Sequence, residues 1–504
     1  MLTIKVLNAH GESVKRDELA TLFATDMLYR PFHRKSSINR EGEVAFEFPG
    51  EAIILHAKIT VPGYGFMWTV ADNCGQGYKD GAVIDYVKEA AVSRVYEVEE
   101  VIKKGGFKPS AKCLGMLSNA KDLLKLSESK TNSPEHNIVA LANALWAGDL
   151  AAVERARQKI ILAGHRENFL FGCSGFLYPY EDSPVLKEVF DSVFNYATLP
   201  FYLARVEYEK NKPTYEILDK LQNEYEKSGI TTKAHPLWWA HTAGMPPWTH
   251  ELKWEDGSIE RELNRVIKRS VERYKGRIHY FDVINEAHDW CNAYMLSQKQ
   301  NAEMTKMCCD AVHSVDPGAN TVINTCFMFG ENVADERVQW GIVHERNMTP
   351  YSYLSLVEEI GTQYDTIGIQ LYCPSRDMLA IDKLYDRFSV FGKPLHLTEL
   401  GVPSHYSDVL PNCSDGDIYC LRYMYSGLWH EMGWNERVQA DWIEDFYTLS
   451  YARPEVDALT WWSISDNASY VPAAGIVRKD GTPKEAVSRL KALQKEWGFN
   501  IGKK

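Results

Sequence analysis

Three kinds of hydrophobic pattern follow one another along the chain. Residues 1 to about 80 alternate apolar and polar positions, as in Leu2, Ile4, Val6 and again in Val44, Phe46, Phe48. Ile53, Ile54, Leu55, Ile59 and Val61 follow, and Pro49-Gly50 and Pro62-Gly63 break the pattern as turns. Successive side chains of a strand point to opposite faces, so this alternation predicts short half-buried strands. Their close spacing predicts a small N-terminal β-sandwich.

From 81 to 163 the period changes to that of a helix. Val83, Ile84, Val87, Ala91, Val95, Val98 and Ile102 share one helical face, and Gly105-Gly106 ends the run. Leu114, Leu117, Leu123 and Leu124 mark a second helix. Ser133-Pro134 opens a third, which carries Leu141, Leu145, Trp146 and Leu150. The serine hydroxyl accepts from a helix N–H that lacks a partner, and proline at the first position sacrifices no hydrogen bond.

From 164 to 504 short apolar runs alternate with helical stretches. The runs lie at 169–174, 193–199, 232–239, 280–287, 321–327, 366–372, 394–400 and 458–466. Helical patterns such as Tyr215 to Glu226, Ile259 to Tyr274 and Lys484 to Glu496 lie between or after them. Strands joined by helix-sized crossovers pair in parallel, and this number of βα units predicts a (β/α)₈ barrel. An open doubly wound sheet is the competing architecture, but its glycine-rich phosphate turn is missing. The expected organisation is therefore 1–80 β-sandwich, 81–163 helical connection and 164–504 barrel.

The 504 residues are 45% hydrophobic and 25% charged, an ordinary globular balance. No apolar run approaches the roughly 18 residues of a membrane span, so no membrane partner is expected. The net charge of −12 disfavours nucleic acid, and the basic stretches Arg30 to Arg40 and Lys268 to Arg277 are diluted by other residues. The first residues lack the pattern of a secretory signal, which makes a cytoplasmic location the expectation. The ten cysteines include no CxxC pair. Cys413 and Cys420 are spaced to bridge in an oxidising compartment, but ten free thiols are expected.

Chemistry in such a barrel sits where the strands end. The fourth barrel strand closes with Asn285-Glu286 and the seventh with Thr398-Glu399. A salt-bridged rim would explain one such glutamate. Two at these ends point to glycoside hydrolysis, in which one carboxyl gives a proton and the other, ionised, attacks or activates water.

The surrounding residues resemble glycoside hydrolase family 10, the β-1,4-xylanases. Tyr280-Phe-Asp-Val-Ile-Asn-Glu-Ala287 looks like the family's fourth-strand signature and Leu397-Thr-Glu-Leu400 like its seventh. The resemblance implies Glu286 as acid/base, Glu399 as nucleophile and Asn285 as donor to the sugar 2-hydroxyl. Ala234-His-Pro-Leu-Trp-Trp239 is similar to the third-strand segment, with His235 and Trp239 walling the −1 sugar. Gln370, Asn324 and the pair Trp461-Trp462 fit the sixth, fifth and eighth strands, the tryptophans as an aromatic lid. The resemblance spans essentially all of 164–504. It implies net retention of configuration, carboxyls roughly 5 to 5.5 Å apart, and no metal or organic cofactor. Neighbouring residues of a regular strand diverge, so Asn285 and Glu286 reach one ring only if the strand end kinks.

Several positions depart from the family pattern. The family's Glu, Asn and Lys after the second strand are replaced by Pro200-Phe-Tyr-Leu-Ala-Arg205, in which Tyr202 and Arg205 remain as sugar contacts. The histidine that normally contacts the nucleophile aligns with Tyr372, and the third strand's Trp-His becomes Trp239-Ala240-His241. Xylan, another β-1,4-linked glycan, and a short or decorated β-glycoside all stay open as substrates.

Other candidates weigh less. His235, His241, His250 and His288 lack the spacing of a zinc site, and His288 is expected to line the cleft. Asp282 is expected to point into the outer layer, and Asp466 is a further acid. Of the remaining tryptophans, Trp254 and Trp290 stay open as stacking platforms. Tyr64, Trp68, Tyr78 and the loop Ala71 to Gly77 form an aromatic and amide cluster, read as domain core ahead of a glycan grip. A catalytically silent sugar-binding barrel would lose one of the two glutamates. An aldolase or phosphate-handling isomerase would need a strand-end lysine or a glycine-rich phosphate site.

Overall fold

The computed structural model describes residues 1–502 apart from 20, 33–35, 40–41, 130–132, 176–182, 290–291, 335–345, 374 and 406–432. Trp290, Cys413 and Cys420 therefore lie outside the described residues. Compactness divides the chain into two units.

The first unit comprises Met1–Gly164 with Cys373–Arg387 and Tyr406–Arg453. Its alternating segments form two sheets. One has the order β3-β4-β1-β7, built from β1 (Leu2–Lys5), β3 (Ser36–Ile38), β4 (Glu43–Phe46) and β7 (Val83–Asp85). The other runs β2-β5-β6, from β2 (Phe23–Thr25), β5 (Ile54–Val61) and β6 (Gly65–Ala71). The helices follow as Tyr86–Lys104, Ala111–Ser129 and Ser133–Ala163. Val83 and Ile84 belong to β7, not to the first helix. That helix starts only after Asp85, whose carboxylate accepts from the Lys88 N–H. The three-stranded sheet packs on the first and third of these helices, so strands and helices share one core. Tyr64, Trp68 and Tyr78 are buried in it, and the Tyr64 hydroxyl donates to Asp149 at 2.5 Å.

The second unit comprises His165–Tyr372, Phe388–His405 and Pro454–Lys504. Here the eight apolar runs become β8 (Leu170–Ser174), β9 (Tyr196–Pro200), β10 (Thr231–His235), β11 (Tyr280–Asn285), β12 (Asn320–Thr325), β13 (Thr366–Tyr372), β14 (Leu395–Gly401) and β15 (Val456–Trp461). They close in parallel as β10-β11-β12-β13-β14-β15-β8-β9. Most of their residues are buried, as expected for strands covered by side chains inside and helices outside. β10 stops at His235, because Pro236 cannot donate to a ladder.

Two irregularities shape the mouth of the barrel. Between Asp282 and Ile284 the β11–β12 register slips by one residue. The extra residue reverses the in-and-out alternation, so Asp282 and Asn285 share the inward face. At the strand end Glu286 takes φ +56°, a left-handed conformation that costs a non-glycine residue on the order of 1 to 3 kcal/mol. This is the kink that directs Asn285 and Glu286 to one place.

Candidate active site

The C-terminal ends of the barrel strands bring Glu286 and Glu399 into one hydrogen-bonded network. Tyr372 donates to Glu399 Oε2 at 2.6 Å, and Asn324 Nδ2 donates to Glu399 Oε1 at 3.0 Å. The same Asn324 amide donates to Asn285 Oδ1 at 2.8 Å. Gln370 Nε2 donates to Glu286 Oε1 at 2.9 Å and to Asn285 Oδ1 at 3.2 Å. Trp239 Nε1 donates to Glu286 Oε2 at 3.1 Å.

The network fixes amide orientations. An ionised carboxylate only accepts, so Asn324 must turn its NH₂ toward Glu399. Its oxygen then accepts from the Thr398 hydroxyl at 2.5 Å. Asn285 receives two amide donors on its oxygen and is left to present its own NH₂ as a donor. Gly368 makes room for this. A Cβ there would stand 2.9 Å from Asn324 Oδ1 and 3.0 Å from the Thr398 methyl.

His235 closes the opposite side. Its Nδ1 lies 2.5 Å from Asp282 Oδ2, so Nδ1 carries a proton toward Asp282, and Nε2 faces Glu399 Oε1 at 3.7 Å. Asp282 is therefore not an outer-layer residue. The slip in β11 turns it inward, where it orients His235. The Trp462 ring centroid is 5.1 Å from that of His235, and Tyr202 lies 5.7 Å from His235 and 5.8 Å from Trp239. His241 stacks on Trp239 at 4.3 Å.

The two glutamates differ in proton demand. Desolvation first, then the charge of Glu399, pushes Glu286 up to about 8, so it holds its proton at neutral pH. Burial also raises Glu399, but His235, the Tyr372 hydroxyl and Lys233 oppose it. Burial thus raises both carboxyls of the network, Glu286 to about 8 and Glu399 against three opposing groups, and environments that treat two carboxyls differently are what acid and nucleophile chemistry needs.

Other candidates fall elsewhere. Trp461 is fully buried and donates to the Ala474 carbonyl at 2.9 Å, so it offers no face to a sugar, and of the expected pair only Trp462 stands beside His235. Successive strand residues point apart, which separates the two indoles. His288 is buried, bonded to the Cys326 carbonyl at 3.0 Å and stacked on Tyr353, not lining the cleft. Asp466 pairs with Lys484 at 2.8 Å. Trp238 is buried and stacks with Tyr294. Arg205 is exposed, with its guanidinium 5.7 Å from the Tyr202 ring. Sequence reasoning passed over Tyr470, whose ring lies 5.0 Å from Tyr372. An aromatic in the turn just after the last barrel strand was its available signal.

Comparison with known proteins bears on the barrel as a whole. The model described as "Glycosyl hydrolase family 10" covers residues 179–492. Endo-1,4-beta-xylanase 3 of Arabidopsis thaliana is 23% identical over 326 residues, 63% of this chain and 37% of that protein. Endo-1,4-beta-xylanase B of Thermotoga neapolitana is 21% identical over 302 residues, 57% of this chain and 76% of that protein. The chain spans only 23% to 37% of the length of three Arabidopsis relatives. The crystal structure of xylanase 10B from Thermotoga petrophila RKU-1 in complex with xylobiose aligns with a TM-score of 0.50 at 19% identity, over 68% of this chain and 98% of that one. That likeness establishes the shared barrel, and the family match spans more than half of the sequence: the chain belongs to glycosyl hydrolase family 10.

Proposed function

We propose that this protein is a retaining glycoside hydrolase that cleaves β-1,4-xylosidic or closely related β-glycosidic bonds. The observation that carries the reading is the shared network of Glu286 and Glu399, in which one carboxyl keeps its proton while the other is held by Tyr372 and Asn324. Glu286 protonates the glycosidic oxygen as Glu399 attacks the anomeric carbon. The aglycone leaves and a glycosyl ester forms on Glu399. Glu286, now ionised, takes a proton from water, which attacks the same carbon and releases the sugar with its configuration retained. Asn285 donates to the 2-hydroxyl, a bond that strengthens as positive charge grows on the ring. Trp239, Trp462 and Tyr202 supply flat apolar walls for the sugar faces.

Two printed names favour xylan. The Arabidopsis relatives are endo-1,4-beta-xylanases, and the T. petrophila structure holds xylobiose. The stretch Pro200–Arg205 favours an altered neighbouring subsite, since its one charged side chain is exposed Arg205. A short or decorated β-glycoside is therefore the second reading.

The test is product analysis with β-1,4-xylan, xylo-oligosaccharides, arabinoxylan, β-glucan and aryl β-glycosides, using wild type and Glu399→Ala. Sugar release from the xylans by wild type alone, first as the β-anomer in proton NMR, is the expected result. Release from aryl glycosides or β-glucan only would keep the mechanism and change the substrate. No release from any of them would defeat the hydrolase reading.

A further inference from the structure

Below this network the barrel interior encloses a lysine. Lys233 precedes His235 by two residues on β10, so both side chains point into the barrel. Lys233 is fully buried, and its Nζ has no hydrogen-bond partner among the described residues. Asp282, on the adjoining strand, is also fully buried and keeps one carboxylate oxygen, Oδ1, without a partner. Burial of a lone ammonium is costly enough that the group normally neutralises unless opposite charge compensates it.

The compensation comes from the site above. Burial pulls the Lys233 ammonium below its ordinary value, and the charges of Asp282 and Glu399 act against that, while its own charge acts on His396. The groups around it are Tyr280 and Asp282 on β11, Tyr196 and Thr198 on β9, Glu399 and His396 on β14, and His235 on its own strand. Glu399 is faced in turn by Tyr372 on β13, Asn324 on β12, His235 on β10, and the rings and carboxyls of Tyr202, Glu286 and Asp282. In this set Lys233 is the one group besides the histidines whose side chain can carry a positive charge.

We propose that Lys233 is a positioning residue of the nucleophile: its buried ammonium is the fixed counter-charge that lets Asp282 and Glu399 remain ionised together. Asp282 then keeps the His235 proton on Nδ1, and Glu399 stays a carboxylate until it forms the glycosyl ester. The inference rests on Glu399 being the nucleophile, but its test does not need a substrate.

Carboxyl titrations are followed by carbon-13 NMR of protein labelled at the glutamate δ-carbon, with Glu399 assigned through Glu399→Gln. In Lys233→Met the Glu399 titration is expected to move up by roughly one pH unit or more, the effect of losing a nearby opposite charge. Lys233→Arg should restore it, since the guanidinium supplies the same charge. An unmoved Glu399 titration in folded Lys233→Met would overturn the proposal. Nitrogen-15 NMR of the lysine Nζ in wild type keeps the question decidable if that variant does not fold. A Lys233 ammonium at pH 6 that titrates lower in Glu399→Gln is the expected result, and a neutral Lys233 amine at pH 6 would refute it. Failure of the substrate panel would remove the hydrolase reading and leave these titrations unaffected, so the two failures are separable.

Discussion

Buried carboxylates occur in both compact units, and they are compensated in different ways. In the N-terminal unit Asp377 is fully buried and accepts from Arg94 at 2.7 Å, while Arg94 also holds Glu97 at 2.7 Å. Asp382 is held by Arg453 at 3.1 Å and by Arg155. At the barrel mouth Glu286 and Glu399 receive amide, indole and phenol donors instead. A guanidinium keeps its charge at every working pH and favours the ionised form of its partner, against the burial that raises Asp377 and Asp382. A neutral donor can stay bonded while the carboxyl gains or loses a proton. The contrast recurs within the barrel unit, where Glu207 is fully buried and paired with Arg265 at 2.6 Å and with Arg269. Among these residues the guanidinium-held carboxylates lie away from the barrel mouth, and the two glutamates at the mouth are held by neutral donors.

The largest expected effect is at Glu399. Glu399→Gln should lower kcat at least about 10⁴-fold, measured on any substrate the wild type cleaves, because a neutral amide cannot form the proposed ester. Glu286→Ala should cost about 10³-fold on a glycoside with a poor leaving group and far less in the first step on an activated aryl glycoside. The pH profile sharpens that role. Glu286 must be protonated to act, so kcat/KM should fall as pH rises through about 8, and the fall should vanish in Glu286→Ala. A basic limb unchanged in that variant would assign the proton to another group.

The guanidinium-paired carboxylates should respond through stability. Arg94→Met leaves Asp377 without its cation and should cost about 3 to 5 kcal/mol in chemical denaturation, with the pH profile of catalysis keeping its shape. A variant of wild-type stability would break the comparison. The smallest change is Tyr372→Phe, which removes one hydrogen bond to Glu399 and leaves Asn324 in place. About a tenfold loss in kcat is expected, in the range of a hydrogen bond to a charged group. Turnover equal to wild type would remove Tyr372 from the site.

Much of the barrel was legible because parallel strands buried on both faces read as short apolar runs separated by helix-period stretches. Glu286 and Glu399 were legible because an acid at the end of an apolar strand has no packing purpose. What escaped depends on register. One slipped residue in β11 turns Asp282 inward, and at the end of β15 Trp461 is buried while Trp462 lies beside His235. Lysine is ordinarily a surface residue, so nothing in the sequence marked Lys233 as buried under the site. The grouping of Cys373–Arg387 with the N-terminal unit was equally hidden, since it brings together parts of the chain far apart in sequence, as the Arg94–Asp377 pair does.

The most direct measurement is to trap the intermediate with a 2-fluoro-2-deoxy β-xylobioside carrying a good leaving group and to map the label by peptide mass spectrometry. A two-step mechanism at Glu399 predicts one glycosyl group on the peptide that contains Glu399, absent in Glu399→Gln. A label on another residue, or hydrolysis of an ordinary aryl xylobioside with inverted configuration, would contradict it.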